Sequence, residues 1–216
     1  MEHIKQTEQF PTLPNDLDNI ISKYFSYEAG YFIEVGANDG YAQSNTYRLE
    51  KERNWRGVLI EAIPELYKAC RETRENSKVF NYALVSNDFG GETVKMHYAN
   101  LMSFVDGALG DNEEQENFIN RGVEIQQLSG TYEIDVPTCT LTEILDMVEN
   151  IPEIDLFSLD VEGYELEVLK GLNFDKYCPK NILVETWQFN QIESFLNKKY
   201  KLIDKVTVHD YLFEKR

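Results

Sequence analysis

The sequence has few cysteines, and their arrangement excludes two common ways of stabilising a small protein. The three cysteines, Cys70, Cys139 and Cys178, are an odd number and form no C-x-x-C pair. Secreted disulfide frameworks and structural zinc sites use paired or closely spaced cysteines. We therefore predict free thiols in a reducing compartment, without a disulfide framework or a structural zinc.

The sequence also lacks long apolar runs and an excess of basic residues. No window approaches the roughly 18 consecutive apolar residues of a membrane span. Residues 1–6 have neither the basic nor the apolar region of a signal peptide, so we expect a cytoplasmic protein without a membrane span. The chain has 38 Asp and Glu but only 21 Lys and Arg, which gives a formal net charge of -17. Such a chain repels a phosphate backbone, so nucleic acid is not predicted as a partner.

Short apolar runs alternate with amphipathic segments along the chain, and 42% of the residues are hydrophobic. This content is sufficient for a full core, and the length fits a single domain over residues 1–216. The alternation predicts an α/β fold, in which helices cover both faces of a mostly parallel sheet. The predicted strands cover residues 31–35, 58–60, 79–85, 92–98, 154–159, 181–184, 200–206 and 209–213. The predicted helices cover residues 12–27, 44–53, 65–75, 140–148, 163–172 and 189–196.

The alternating pattern fails between residues 99 and 132. Several glycines interrupt this stretch, and its segment 111–116 is strongly acidic. A long loop inside a compact domain is usually a lid or a disordered segment. We interpret residues 99–132 as a partly helical lid over an acceptor site, more mobile than the sheet.

The end of the strand 31–35 carries the most informative motif. Residues 34–40 read E-V-G-A-N-D-G, which is an E-x-G-x-N-x-G spacing and not the G-x-G-x-x-G of dinucleotide-binding folds. Ligands bind beyond the carboxyl ends of parallel strands, and glycines there let the backbone approach them. The carboxylate of Glu34 would repel a pyrophosphate but attract an ammonium, such as the amino group of methionine. A nicotinamide cofactor does not fit this loop.

A second acid, Glu61, ends the strand 58–60. The two strand ends are about 20 residues apart, as one helical crossover requires. A carboxylate in this position can accept hydrogen bonds from both hydroxyls of a ribose. Together, the two acids and the glycine loop predict a nucleoside cofactor that carries a cationic group.

Three segments of the chain resemble the FkbM-type methyltransferase family. They are residues 34–40, residues 57–66 (GVLIEAIPEL) and residues 160–171 (DVEGYELEVLKG), of which the last is the most distinctive. The resemblance implies a Rossmann-like class I methyltransferase fold, with a seven-stranded sheet whose last strand is antiparallel. It also implies S-adenosylmethionine as cofactor and O-methylation, often of sugars in antibiotics or surface polysaccharides.

The resemblance further assigns the cofactor positions. The implied cofactor-binding residues are Glu34, Gly36, Asn38 and Gly40 in the first loop, Glu61 and Ala62 after the second strand, and Ala83 beside the adenine. Ser44 follows the first loop, where it either contacts the cofactor or caps the next helix.

O-methylation requires an acceptor hydroxyl that is aligned with the methyl group and gives up its proton. Asp160 and Glu162 follow the strand 154–159, and Glu185 follows the strand 181–184. We predict these three acids as the catalytic residues because the ends of neighbouring parallel strands converge. They act either on the hydroxyl directly or as ligands of a divalent metal, since hard cations prefer oxygen ligands.

The predicted acceptor contacts are His97, Tyr98, Ser103 and Trp187. The first three lead into the lid, and Trp187 offers an aromatic platform beside Glu185. We predict an S-adenosylmethionine-dependent O-methyltransferase whose acceptor is a small molecule, a sugar, nucleotide-sugar or glycoconjugate. The alternative is a catalytically inactive S-adenosylmethionine-binding module that serves a partner protein. The sequence leaves the oligomeric state open.

Overall fold

A computed structural model describes residues 16–216, and in this range the strands form a seven-stranded sheet and a four-stranded sheet. The helices are α1 (Asp16–Tyr24), α2 (Tyr47–Arg53), α3 (Pro64–Thr73), α4 (Asn112–Gln126), α5 (Leu141–Asp146), α6 (Glu165–Lys170) and α7 (Phe189–Leu196). The strands are β1 (Tyr31–Val35), β2 (Arg56–Ile60), β3 (Lys78–Phe80), β4 (Ala83–Leu84), β5 (Thr93–Tyr98), β6 (Phe104–Val105), β7 (Tyr132–Cys139), β8 (Leu156–Leu159), β9 (Asn181–Glu185), β10 (Tyr200–Lys205) and β11 (Asp210–Lys215). Of the predicted helix 12–27, residues 12–15 lie outside the described part of the chain. None of the helices described is long and apolar enough to cross a membrane.

The seven-stranded sheet has the order β10-β11-β9-β8-β1-β2-β3. Its central strands are parallel, with β1 paired to both β2 and β8, and β8 paired to β9. The final strand, β11, is antiparallel to β9 and to β10. The predicted α/β fold with a mostly parallel seven-stranded sheet and an antiparallel last strand is therefore confirmed. Because β11 runs backwards, its first residue, Asp210, pairs with Glu185, the last residue of β9.

Helices cover both faces of this sheet, since successive residues of a strand point to opposite sides. In β1, Ile33 and Val35 belong to the apolar cluster that includes buried residues of α5, α6 and α7. Phe32, between them, belongs to the cluster that includes buried residues of α1, α2 and α3. Both sides of the strand are therefore buried, which explains why its sequence is a nearly continuous apolar run.

The four-stranded sheet, with the order β4-β7-β5-β6, was only partly predicted. The prediction of one strand over residues 79–85 is wrong, because the chain leaves the main sheet after β3 and joins the small sheet as β4. Asn81 holds this crossing by donating from Nδ2 to the carbonyl oxygens of Glu61 and Ala62, both at 2.8 Å. Strand β7 was not predicted, because half of its residues are exposed and its sequence contains two acids and Pro137, residues that are depleted in strands.

Residues 99–132 contain a 3-10 turn (Asn100–Met102), β6 and the long helix α4. The acidic run 111–116 lies at the start of α4 and is a helix signal, because Asp111 forms a capping box with Glu114. The other end of α4 is fastened to the turn by Gln126. This side chain donates to the carbonyl oxygen of Ala99 at 2.9 Å and accepts from the amide of Leu101 at 3.1 Å. The segment is thus partly helical, as predicted, and its greater mobility remains a prediction.

Candidate active site

A cavity of about 210 Å³ lies beyond the carboxyl ends of the parallel strands. At one side it is lined by Glu61, Ala62 and Ala83, which follow or form the ends of β2 and β4. At the other side it is lined by Asp160 and Glu185, at the ends of β8 and β9. The sheet order puts β1 between these two groups. The cavity therefore occupies the position at which parallel α/β sheets bind ligands.

The loop after β1 forms the floor of this cavity. Gly36 has a φ of 84°, and a Cβ atom on it would lie 1.8 Å from the carbonyl oxygen of Asp160. Only glycine permits this contact between the two loops. Asn38 has a φ of 47°, lines the cavity and donates its backbone amide to Glu61 Oε2 at 2.8 Å. Gly40 does not line the cavity; its φ is 80°, and a Cβ there would lie 2.7 Å from Arg74 Cγ.

Glu34 lies beneath the loop and is not among the described residues that line the cavity. Its carboxylate is 4% exposed and accepts from the hydroxyl of Ser44 at 2.9 Å and from that of Thr46 at 2.5 Å. It also accepts from the amide of Asn45 at 2.9 Å and lies 3.3 Å from the guanidinium of Arg74. The cation that faces Glu34 in the structure is therefore Arg74, and direct contact with the cofactor remains a prediction.

Arg74, at the end of α3, is a functional residue that the sequence did not reveal. Its side chain is fully buried and lies 2.9 Å from Glu50 Oε2. It donates to the hydroxyls of Thr46 at 2.8 Å and Ser44 at 3.0 Å, and to the carbonyl oxygen of Gly40 at 3.2 Å. Arg74 thus ties both ends of the segment 40–46 to the sheet. No motif marks it, because an arginine at the end of an amphipathic helix is usually exposed.

Ser44 serves this network and the following helix. Besides bonding Glu34 and Arg74, its Oγ accepts from the amide of Tyr47, the first residue of α2, at 3.1 Å. The N-cap residue of α2 is Thr46, whose side chain makes no capping bond. Ser44 supports the first turn of α2 from two residues before the N-cap, and its contact with the cofactor remains a prediction. Ser44 does not line the cavity described above.

Glu61 has the geometry predicted for a ribose-binding acid. It is 7% exposed, lines the cavity and accepts from the amides of Asn38 and Ile63, each at 2.8 Å. Each carboxylate oxygen is held by one amide, which fixes the carboxylate and leaves acceptor capacity for further donors. Burial raises the pKa of Glu61 to about 7, against the lowering effect of the amide donors.

The three predicted catalytic acids lie together at the opposite side of the cavity. Burial raises the pKa of Asp160 well above its usual range, and the charge of Glu185 raises it further. Burial also raises the pKa of Glu185 to about 7, although a hydrogen bond with Asp160 lowers it. Each of these two carboxyls therefore affects the pKa of the other. Burial raises the pKa of Glu162 to about 8, and its φ of 51° is a strained backbone conformation of the kind found at functional sites.

Glu165, the first residue of α6, has a structural role. It is 1% exposed and accepts from the amide of Gly163 at 2.7 Å and from the hydroxyl of Thr186 at 3.2 Å. These contacts fasten the turn after β8 to the end of β9, and the carboxylate lies in the first turn of α6, where the helix dipole favours a negative charge.

Of the four predicted acceptor contacts, Ser103 alone lines the cavity among the residues described. Its hydroxyl donates to the carbonyl oxygen of Asn100 at 2.7 Å and accepts from the amide of Ala99 at 3.0 Å, so it shapes the turn above the cavity. The other three lie elsewhere. His97 bonds Asp106, Tyr98 stacks on Tyr132, and Trp187 is 57% exposed with its ring against His209. The residues that line the cavity from the lid, and that the sequence did not identify, are Asn100, Leu101, Met102, Val105, Ile125 and Gln126.

No group of three or more His, Cys, Asp or Glu side chains within residues 16–216 has an arrangement that could hold a metal ion. The alternative that Asp160, Glu162 and Glu185 act as ligands of a divalent metal therefore gains no support from their geometry. The pKa of Glu185, which burial raises to about 7, instead suits acid–base chemistry.

Comparison with known proteins identifies the family. Residues 34–212 match the family described as Methyltransferase FkbM domain. The chain belongs to this FkbM methyltransferase family. The match begins at Glu34 and ends at Leu212, so it spans both the cavity and the main sheet.

Individual relatives agree with this assignment. Methyltransferase sdnD from Sordaria araneosa is 33% identical over 99 residues, which cover 39% of this chain and 38% of that protein. The crystal structure of Methyltransferase FkbM from Methylobacillus flagellatus KT has a TM-score of 0.51 at 12% identity, covering 90% of this chain and 50% of that one. The human methyltransferase 10 domain containing protein has a TM-score of 0.50 at 10% identity, covering 93% and 81%. This chain thus spans 38% of methyltransferase sdnD and 50% of the Methylobacillus flagellatus protein. The two structures support the class I methyltransferase fold.

Proposed function

We propose that the chain binds S-adenosylmethionine in the cavity of about 210 Å³ and methylates a hydroxyl of a sugar or glycoconjugate. One observation carries the proposal: a fixed acid, Glu61, lies at one side of the cavity, and a pair of partly buried acids, Asp160 and Glu185, lies at the other. The first suits a ribose, and the second suits a reacting hydroxyl.

The cofactor half of the proposal rests on the shape and chemistry around Glu61. Its carboxylate is held by two backbone amides, so it can receive both ribose hydroxyls without reorganising. Ala62, Ala83 and Leu84 line the adjoining wall, and such small and apolar side chains fit the faces of an adenine. The bound cofactor supplies the methyl group as an electrophilic carbon next to a sulfonium charge. That charge is favoured at the Asp160–Glu185 side, where the lining is acidic.

The chemical half rests on Glu185. A general base works best when its pKa is near the working pH, and the pKa of Glu185 is raised to about 7. Glu185 would accept the proton of the acceptor hydroxyl while the oxygen bonds to the methyl carbon. Asp160 would hold Glu185 in place through their hydrogen bond and orient the hydroxyl.

Calorimetric titration tests the cofactor half. S-adenosylhomocysteine should bind the protein, and NAD should not. Glu61→Gln removes one charge without changing shape and should weaken S-adenosylhomocysteine binding by about tenfold or more, since a charge-assisted hydrogen bond contributes about 1.5–3 kcal/mol. Glu149→Gln, on the exposed surface, is the matched control and should bind like the parent.

Failure has two clear forms. Binding of NAD without any response to S-adenosylhomocysteine would contradict the cofactor assignment. Binding of S-adenosylhomocysteine without turnover of S-adenosylmethionine on a panel of glycosides would favour the inactive binding module over the enzyme.

A further inference from the structure

A second cavity, of about 320 Å³, lies beside the cofactor cavity. Asp160, Glu185 and Gln43 line both of them. Asp160 and Glu185 therefore form part of the boundary between the two spaces. If the first cavity holds the cofactor, an acceptor in the second would meet the methyl group at this boundary.

Asp210 is the acid of the second cavity that has no role in the proposed mechanism. The antiparallel direction of β11 brings it to the edge where β8 and β9 end, opposite Glu185. The residue is 5% exposed, and Oδ2 accepts from the hydroxyl of Thr207. The other oxygen, Oδ1, is buried and has no hydrogen-bond partner. A buried carboxylate oxygen without a partner is costly, so this position favours a ligand that supplies a donor.

The lining of the second cavity is acidic and contains no counter-charge. Its polar residues are Gln43, Asn45, Thr207 and the acids Asp160, Glu185 and Asp210. None of its lining residues in the described part of the chain is Lys or Arg. Phosphate or carboxylate groups would be repelled here, while a protonated amine would be attracted.

We infer that the second cavity is the acceptor subsite and that it takes an alcohol bearing a protonated amine, such as an amino sugar, with the amine on Asp210. This inference rests on the proposed function, because it takes the first cavity as the cofactor site. It narrows the acceptor to a class that the family assignment does not specify. It also excludes nucleotide-sugars, whose phosphates have no cationic partner in this lining.

The arrangement accounts for the whole transfer. The amine would contact the carboxylate of Asp210, which would place a neighbouring hydroxyl against Glu185 at the boundary between the cavities. The hydroxyl oxygen would bond to the methyl carbon as the carbon–sulfur bond breaks and its electron pair returns to sulfur. The hydroxyl proton would pass to Glu185, so the charges balance without another reactant.

Binding of three matched sugars tests the inference without requiring turnover. Glucosamine, glucose and glucose 6-phosphate share a ring but carry an ammonium, no charge and a phosphate. Their binding to the parent protein saturated with S-adenosylhomocysteine is measured by ligand-observed NMR titration, at a pH at which the amine is protonated. Glucosamine should bind about tenfold tighter than glucose, as a charged hydrogen bond implies, and glucose 6-phosphate should bind more weakly than glucose.

Variants assign the preference to Asp210. Asp210→Asn should bring glucosamine down to the affinity of glucose while S-adenosylhomocysteine still binds. Asp175→Asn, whose side chain is 90% exposed, should keep the preference. Equal binding of glucosamine and glucose by the parent, tighter binding of glucose 6-phosphate, or no binding of glucosamine would overturn the inference, whether or not the variants fold. Repeating the titrations without S-adenosylhomocysteine separates the two proposals, because failure of the cofactor assignment alone would leave the preference for the amine intact.

Discussion

Two groups of carboxylates lie on either side of the loop after β1, and only one of them contains a cation. In the first, the buried side chains of Glu34 and Glu50 share the guanidinium of Arg74. In the second, Asp160 and Glu185 are partly buried, and no Lys or Arg is among the described residues that line their cavities. The first group holds the loop, although one guanidinium faces two carboxylates and Glu50 Oε1 has no hydrogen-bond partner. The second group has no cation of its own, and a cationic cofactor or acceptor would supply one.

The largest effect is expected from the second group, at Glu185. Glu185→Gln keeps the shape of the side chain but removes its ability to accept a proton. Turnover should fall by about 10²- to 10⁴-fold, the usual contribution of a general base, while S-adenosylhomocysteine affinity stays near that of the parent. Kinetics and calorimetry on the same preparation measure both quantities. Turnover at the parent rate would show that Glu185 of the second group does not take part in catalysis.

The next largest effect is expected from the first group, at Arg74. Arg74→Met leaves two buried carboxylates without their cation, so the free energy of unfolding should fall by about 3–5 kcal/mol. Denaturant unfolding measures this loss. The control is Arg71→Met, on the exposed side of the same helix, which should change little. Similar stability of the two variants would mean that Arg74 does not neutralise the first group in solution.

The smallest of these effects is a change of stability with pH. Burial raises the pKa of Glu162 to about 8 and those of Glu61 and Glu185 to about 7, from an ordinary value of 4.5. The folded state therefore keeps protons that the unfolded chain has lost, and the stabilisation that this provides disappears as pH rises through the folded pKa values. The melting temperature should fall between about pH 5 and about pH 8.

Glu162→Gln should make this pH dependence shallower, because it removes one of the raised groups. Glu149→Gln, which is exposed, should leave the slope unchanged. A melting temperature that rises over this interval in the parent protein would contradict the raised pKa values. It would also contradict the lack of a cation beside the second group.

The sequence predicted the main sheet and the acids at its edge because both leave local patterns. An apolar run followed by an acid identifies a parallel strand and its end, as at Glu61 and Glu185. The small sheet was less predictable because half of the β7 residues are exposed and the strand carries residues unusual in strands. The acidic run 111–116 was not recognised as the start of a helix within the partly helical lid, although the spacing of Asp111 and Glu114 is that of a capping box.

Within the site, the residues that could not be predicted act through tertiary contacts. Arg74 acquires its role because α3 brings it beside Glu34 and Glu50, which are distant in sequence. Asp210 acquires its place because β11 is inserted antiparallel beside β9. The burial of these charges depends on packing between elements, and no short motif records it.

The most direct test of the account is a crystal structure with S-adenosylhomocysteine. Both ribose hydroxyls should lie within hydrogen-bond distance of Glu61, and the sulfur should face Asp160 and Glu185 at the boundary of the second cavity. Glu34 should keep its contact with Arg74. A ligand whose ribose avoids Glu61, or whose sulfur points away from the Asp160–Glu185 pair, would contradict it.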